Sequence, residues 1–149
     1  MVWGGFTAHH RTQLVIIQGN LNAVQYRDRI VGPVIIPFLQ RYGPGLTLQQ
    51  DNARPHTARI IQCYMQQHDV DLLPWPANSP DLAPIEHLWD EMERQLRRQI
   101  RDPANVQELA RDLNRIWNSI PQAFLFQLVA SMRRRCTAVI NAEGGHTRY

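Results

Sequence analysis

Leu46-Thr47-Leu48-Gln49-Gln50-Asp51-Asn52-Ala53-Arg54-Pro55-His56 is the stretch on which the reading of this chain turns. Gly45 on one side and the polar Gln49-Gln50-Asp51-Asn52 on the other leave room for a short buried strand, Leu46 to Leu48, that runs out at an acid. In open α/β sheets, ligand sites gather beyond the carboxyl ends of strands, which makes Asp51 a residue of interest. Pro55 then opens a helix predicted to reach His68, with Ile60, Ile61, Tyr64 and Met65 as its buried stripe.

Toward the N-terminus, Val2-Trp3-Gly4-Gly5-Phe6 and Gln13-Leu14-Val15-Ile16-Ile17 are apolar segments joined by the polar residues Thr7 to Thr12, the pattern of a β-hairpin. Asn20 is expected to cap a helix carrying Ala23, Tyr26, Ile30 and Val34 on one face, which Pro33 and Pro37 should kink or split. Toward the C-terminus, Val70 to Leu73 reads as another short strand. A connector with prolines at 74, 76, 80 and 84 follows, through which neither helix nor strand can run. Beyond it Ile85, Leu88, Trp89, Met92 and Leu96 share a helical face. Two more amphipathic helices are predicted, one through Val106, Leu109, Leu113, Ile116 and Trp117. The other runs through Phe124, Leu125, Leu128, Val129, Met132, Cys136 and Val139, with Pro121 between them. The order β-β-α-β-α-β followed by helices means an α/β fold, a mixed sheet flanked by helices with a C-terminal helical extension.

A chain of 149 residues is the size of one domain, so residues 1–149 are read as a single domain. With 44% hydrophobic and 19% charged residues, the composition excludes a disordered tail, a collagen-like repeat and a coiled coil. Aliphatic runs such as Leu14 to Ile17 are far shorter than the ~20 residues of a membrane span, and no leader pattern opens the sequence. A soluble, intracellular chain with no membrane partner is expected. Cys63 and Cys136 have no metal-site spacing and give no reason for a disulfide. His9, His10, His56, His87 and Cys63 likewise lack the spacing of a zinc module. The tryptophans Trp3, Trp75, Trp89 and Trp117 are read as core residues. The net charge of +3 comes entirely from arginine on the basic side, and between Leu113 and Ile140 there are arginines but no acid. Such a segment can fork onto phosphate oxygens, or serve as a solvated helix face.

Asp51 and Glu86 are the acids placed for chemistry. Glu86 lies in the first turn after Pro84, where an acid also complements the helix dipole, and Asp51-Asn52 also suits a plain turn. Spacing alone leaves both alternatives open for both residues.

Gln49-Gln50-Asp51-Asn52-Ala53-Arg54-Pro55-His56-Thr57-Ala58 and Trp75-Pro76-Ala77-Asn78-Ser79-Pro80-Asp81-Leu82-Ala83-Pro84-Ile85-Glu86-His87-Leu88-Trp89 resemble the signature blocks of Tc/mariner-type transposases. Thirty-four residues separate Asp51 from Glu86, the spacing the resemblance predicts for the second and third catalytic acids. Val2-Trp3-Gly4-Gly5, the stretch from Gly19-Asn20 to Tyr26, and the closing Gly144-Gly145-His146-Thr147-Arg148-Tyr149 also resemble family landmarks. The resemblance implies a ribonuclease-H-like DDE catalytic domain, in which carboxylates hold Mg²⁺ or Mn²⁺ and DNA is cut and rejoined during transposition in the nucleus. Asp51 and Glu86 are then both catalytic residues and metal ligands. Mg²⁺ takes hard oxygen ligands from one or two carboxylates plus waters and phosphates, which suits this pair.

The resemblance also places a first catalytic Asp on a strand upstream of the Val-Trp-Gly block, and a helix-turn-helix region before that. Starting at Met1, the sequence shows neither, so an N-terminally truncated fold is expected, with the first central strand absent and two sheet edges facing a gap. Asp28 precedes Asp51 but falls on a predicted helix and does not match the motif. Losing one of a set of cooperating carboxylates removes most of the rate, so the expectation is a transposase-derived domain inactive alone. The alternative is a non-catalytic remnant that binds DNA or a transposase partner, as a homodimer or with a full-length transposase. A nuclease acting on RNA–DNA hybrids is a third reading, disfavoured by the transposase-like second block. Arg54 and Arg59, flanking the Asp51 site, and Arg133, Arg134 and Arg135 are the expected DNA contacts.

Overall fold

Val2–Trp3 (β1) pairs antiparallel with Val15–Ile16 (β2), Val2 opposite Ile16 and Trp3 opposite Val15, in the computed structural model, which describes residues 1–43, 45–145 and 147. The chain divides into two compact units, one of residues 1–4 and 15–78 and the other of residues 5–14 and 79–149.

The first unit carries β1, β2 and a long helical run. Asn22, two residues beyond the expected Asn20, caps it: its side chain accepts the Gln25 N–H at 2.9 Å while the Gln25 side chain accepts the Asn22 N–H at 3.2 Å. The run proceeds through Ala23–Tyr26 (α1), a wide π-helical segment Arg27–Ile35 and Ile36–Tyr42 (α2). The prolines were expected to kink or split this run, and it continues unbroken. Pro33 lies inside the π segment and Pro37 in the first turn of α2. A proline ring clashes with the carbonyl four residues back, and shifting to longer-range bonds such as Ile36 N–H to the Val31 carbonyl relieves that clash. Gly32 sits where a Cβ would come 3.2 Å from the Tyr64 hydroxyl, so its small size permits the close approach.

The expected strands Leu46–Leu48 and Val70–Leu73 shrink to a single parallel bridge, Leu48 with Leu72. Leu48 N–H donates to the Asp71 carbonyl at 2.7 Å and Leu73 N–H to the Leu48 carbonyl at 3.0 Å. Gly45 at φ +92° before the bridge and the Asp51 turn after it leave too few residues for a ladder. The helix expected from Pro55 to His68 is two, Arg54–Thr57 (α3) and Arg59–Gln67 (α4), parted by the extended backbone of Ala58. Ile17, Tyr26, Ile30, Val31, Ile35, Ile36, Ile61 and Met65 form this unit's buried core. Burial of these side chains contributes roughly 1.5–3 kcal/mol each against the ordering entropy.

The second unit begins with the distal hairpin, closed by a Phe6–Arg11 bridge. Its helices are Pro84–Arg97 (α5), Val106–Ser119 (α6), Gln122–Ala130 (α7) and Met132–Asn141 (α8), with a 3₁₀ turn at Pro80–Leu82 before α5. The single helix expected after Pro121 breaks at Ser131, whose hydroxyl turns back to the Leu128 carbonyl at 2.6 Å. Leu88, Met92, Ile116, Trp117, Ile120 and Leu125 are buried, while Val106 and Cys136, expected on apolar faces, are exposed. Trp117 stacks on Trp89 at 5.7 Å and donates its indole N–H to the Thr12 carbonyl at 2.8 Å. The Arg11 guanidinium spans the carbonyls of Trp117 and Ile120, both at 2.5 Å, satisfying orphan acceptors at the end of α6. Among the described residues no helix is long and apolar enough to cross a membrane. Of the closing landmark, His146, Arg148 and Tyr149 lie outside the described residues.

Candidate active site

Asp51 comes three residues after the Leu48 bridge, so the end of the shortened strand still leads to an acid at the surface. Its Oδ1 accepts the Ala53 N–H at 3.0 Å, an Asx turn, and lies 2.6 Å from His56 Nδ1. Oδ2 has no hydrogen-bond partner among the described residues. The carboxylate is 67% exposed while the His56 side chain is 15% exposed, so the acid projects outward from a half-buried partner. Three further ties hold the turn. Tyr26 OH donates to Gln50 Oε1 at 2.7 Å, the Tyr26 ring lies 4.5 Å from the His56 ring, and Asn52 Nδ2 donates to the Trp75 carbonyl at 2.9 Å. Burial, with the Asp51 charge adding to it, pushes the Tyr26 phenol above its ordinary range against a weaker hydrogen bond from Trp3, so the hydroxyl stays a donor.

Glu86 lies in the second unit, exposed in the first turn of α5, with Pro84 opening the helix and the Glu86 N–H donating to the Ala83 carbonyl at 3.2 Å. Leu82 and Ala83 before it and Leu88 and Met92 after it are buried, anchoring both sides of the acid. His87 beside it has its Nδ1 buried without a hydrogen-bond partner among the described residues. Burial first and the Arg135 charge second lower its pKa, partly opposed by Asp90.

Arg54 and Arg59 are exposed on α3 and α4, and Arg133 and Arg134 are exposed on α8. Arg135 departs from the expectation of a DNA contact. It is 2% exposed, with Nε donating to Ser131 Oγ at 2.9 Å and NH1 to the Asp81 carbonyl at 2.8 Å. Its guanidinium is consumed inside the second unit. The charge run 133–135 could not reveal this, because successive helical residues point in different directions and one of three adjacent arginines can turn inward. Asp28 lies in the π segment paired with Arg27 at 2.6 Å, and that bond holds its carboxyl below the usual range. His56, set aside in the sequence as lacking zinc-module spacing, is the contact that spacing alone does not reveal. Its signal was an imidazole five residues after an acid, just past an Asx turn.

Asp51 in the first unit and Glu86 in the second are each exposed, and a carboxylate is the donor type a hard cation takes. Among the described residues no three His, Cys, Asp or Glu side chains gather as a ligand cluster.

A family model described as DDE superfamily endonuclease matches residues 1–110. The chain belongs to that family. This DDE chain is 42% identical over its whole length to the Tc1 transposase of Caenorhabditis elegans, of which the match covers 54%. It is 32% identical to the Tc3 transposase of the same organism, again along all of this chain and 45% of the relative. The chain thus spans about half the length of the curated relatives it matches. Among solved structures, the catalytic domain of Mos1 transposase with raltegravir and Mg matches at a TM-score of 0.83 and 22% identity, covering 99% of this chain and 75% of that one. A Mos1 paired-end complex with the left transposon end matches at 0.82 and 21%, covering 97% of this chain and 43% of that one. The DDE chain therefore has the ribonuclease-H-like α/β fold of the Mos1 catalytic domain, with β1 and β2 as the strands among its described residues and a C-terminal helical extension.

Proposed function

We propose that residues 1–149 are part of a single DDE catalytic domain that cuts and rejoins DNA during cut-and-paste transposition in the nucleus. Asp51 and Glu86 are its Mg²⁺- or Mn²⁺-holding carboxylates. The observation that carries this is the identity of 42% with the Tc1 transposase along the whole chain, together with two acids at the spacing of the family blocks. A bound divalent ion would activate an attacking hydroxyl or water and stabilise the leaving oxygen of the phosphodiester. The chain's own part is to hold two carboxylates on braced turns. Asp51 is fixed by His56 and the Ala53 N–H, Glu86 by a helix start packed on buried leucines. Arg54, Arg59, Arg133 and Arg134, all exposed, supply charge for phosphate contacts that position DNA. The partners are DNA and a second transposase chain, in keeping with the paired-end complexes formed by Mos1.

Two acids at family positions hold metal less well than three, and groups that act as a unit lose most of their rate when one is missing. The 149-residue chain alone is therefore expected to nick supercoiled plasmid weakly or not at all with Mg²⁺ or Mn²⁺. Any metal-dependent nicking it shows is expected to disappear in Asp51→Asn and in Glu86→Gln. Robust strand transfer by the isolated chain overturns the expectation that two acids are too few, and nicking that survives both substitutions overturns the assignment of Asp51 and Glu86.

A further inference from the structure

The ties around Asp51 are more than a turn needs. His56 Nδ1 faces two acceptors, Asp51 Oδ1 at 2.6 Å and the Asp51 carbonyl at 3.3 Å. A ring nitrogen facing two oxygen acceptors must carry the proton, so Nδ1 is the donor and the tautomer is assigned by its surroundings. The Ala53 N–H, at 3.0 Å, falls on the same carboxylate oxygen. With two donors on Oδ1, the carboxylate cannot spin freely about its terminal torsion, and Oδ2 is the oxygen left toward solvent. The imidazole is itself held: its ring lies 4.5 Å from that of Tyr26, which is 1% exposed and anchored through its hydroxyl to Gln50. The result is a closed circuit, Gln50–Tyr26–His56–Asp51, built on an otherwise exposed acid. Pro55, fixing φ in the first turn of α3, sets where His56 emerges.

We propose that His56 is a positioning residue that locks the Asp51 carboxylate with Oδ2 presented as a one-oxygen ligand to the divalent cation. This rests on the assignment of Asp51 as a metal ligand. Mg²⁺ favours few carboxylate oxygens in fixed directions, and an outer partner that orients a ligating carboxylate lowers the cost of placing it. Asn at position 56 can keep the donor, because its amide nitrogen occupies nearly the place of Nδ1, whereas Ala cannot.

The test uses the full 149-residue chain and Mn²⁺ itself, with free Mn²⁺ followed by electron paramagnetic resonance, beside imidazole nitrogen–proton NMR of the metal-free chain. Loss of an orienting partner typically weakens metal binding by roughly tenfold or more, which is the effect expected of His56→Ala, with unchanged melting temperature. His56→Asn is expected to recover most of that loss, and the NMR should show a proton on Nδ1 of His56. Mn²⁺ affinity in a folded His56→Ala chain equal to the parent's, or His56→Asn no better than His56→Ala, overturns the proposal. So does a His56 ring protonated on Nε2 alone. The Asp51→Asn chain separates the two readings. If it binds Mn²⁺ as the parent does, the ligand assignment of Asp51 fails, and the positioning of a metal ligand by His56 fails with it. If it loses binding while His56→Ala does not, the positioning alone fails.

Discussion

Replacing Arg135 by alanine separates an arginine that builds the fold from the arginines beside it. Arg135 is buried in the second unit, bonded to Ser131 Oγ at 2.9 Å and to the Asp81 carbonyl at 2.8 Å. Asp81 lies in the 3₁₀ turn leading into α5, the helix that carries Glu86, so the guanidinium pins α8 to the segment that sets the acid's position. Hydrogen bonds from a charged donor contribute about 1.5–3 kcal/mol each, and losing both costs about 3 kcal/mol even at the lower bound. For a chain of this size each kcal/mol moves the melting temperature by roughly 2–4 °C, so Arg135→Ala should melt roughly 6–12 °C below the parent. Arg133→Ala and Arg134→Ala change exposed side chains and should fall within about 0.5 kcal/mol of it. Arg135→Lys, with a compact ammonium that cannot span both acceptors as a guanidinium does, should lie between. The assay is thermal unfolding of the full chain by circular dichroism. An Arg135→Ala chain melting within about 2 °C of the parent, or all three alanine variants melting alike, refutes the inward placement of Arg135 and returns it to the surface.

Two further outcomes follow from the second unit. The His87 pKa lies below its ordinary value of 6.5 because burial and the Arg135 charge disfavour the imidazolium. As pH falls the unfolded chain takes up this proton first, so the stabilisation is complete above 6.5 and is lost as pH falls through the folded value. His87→Gln should therefore flatten the loss of stability between neutral and mildly acid pH in urea unfolding, and coincident slopes for parent and variant would count against it. Trp117→Phe leaves the Thr12 carbonyl without the indole donor now at 2.8 Å. It should cost about 2 kcal/mol in the same unfolding assay, and a loss under about 0.5 kcal/mol would mean that bond is not made.

What was legible in the sequence was what repeats or recurs in blocks. The helical faces around Tyr26 and Ile30, around Leu88 and Met92 and around Ile116 and Trp117 are buried as their spacing predicts. The hairpin lies where two apolar segments flank a polar one. Asp51 and Glu86 stand out because whole motif blocks surround them. The details that escaped depend on contacts distant in sequence or on backbone choices with no side-chain pattern. Widening of the helix around Pro33, the break at Ser131 and the collapse of two strands to the Leu48–Leu72 bridge are of the second kind. The burial of Arg135 by Asp81 is of the first, 54 residues apart. The grip of His56 on Asp51 lies only five residues away, yet it is visible only once the Asx turn has folded the chain back.

The most direct test of the account puts these residues to work inside a related transposase. The chain aligns along its whole length with the matching 54% of the Tc1 transposase, so residues 1–149 can replace that stretch while the remainder of the relative supplies what lies outside it. The chimera is predicted to cut Tc1 transposon ends in the presence of Mg²⁺, and Asp51→Asn or Glu86→Gln in it to abolish cutting without impairing end binding. A folded chimera that binds the ends but does not cut them, or one that still cuts after either substitution, contradicts the claim that these two carboxylates carry the chemistry.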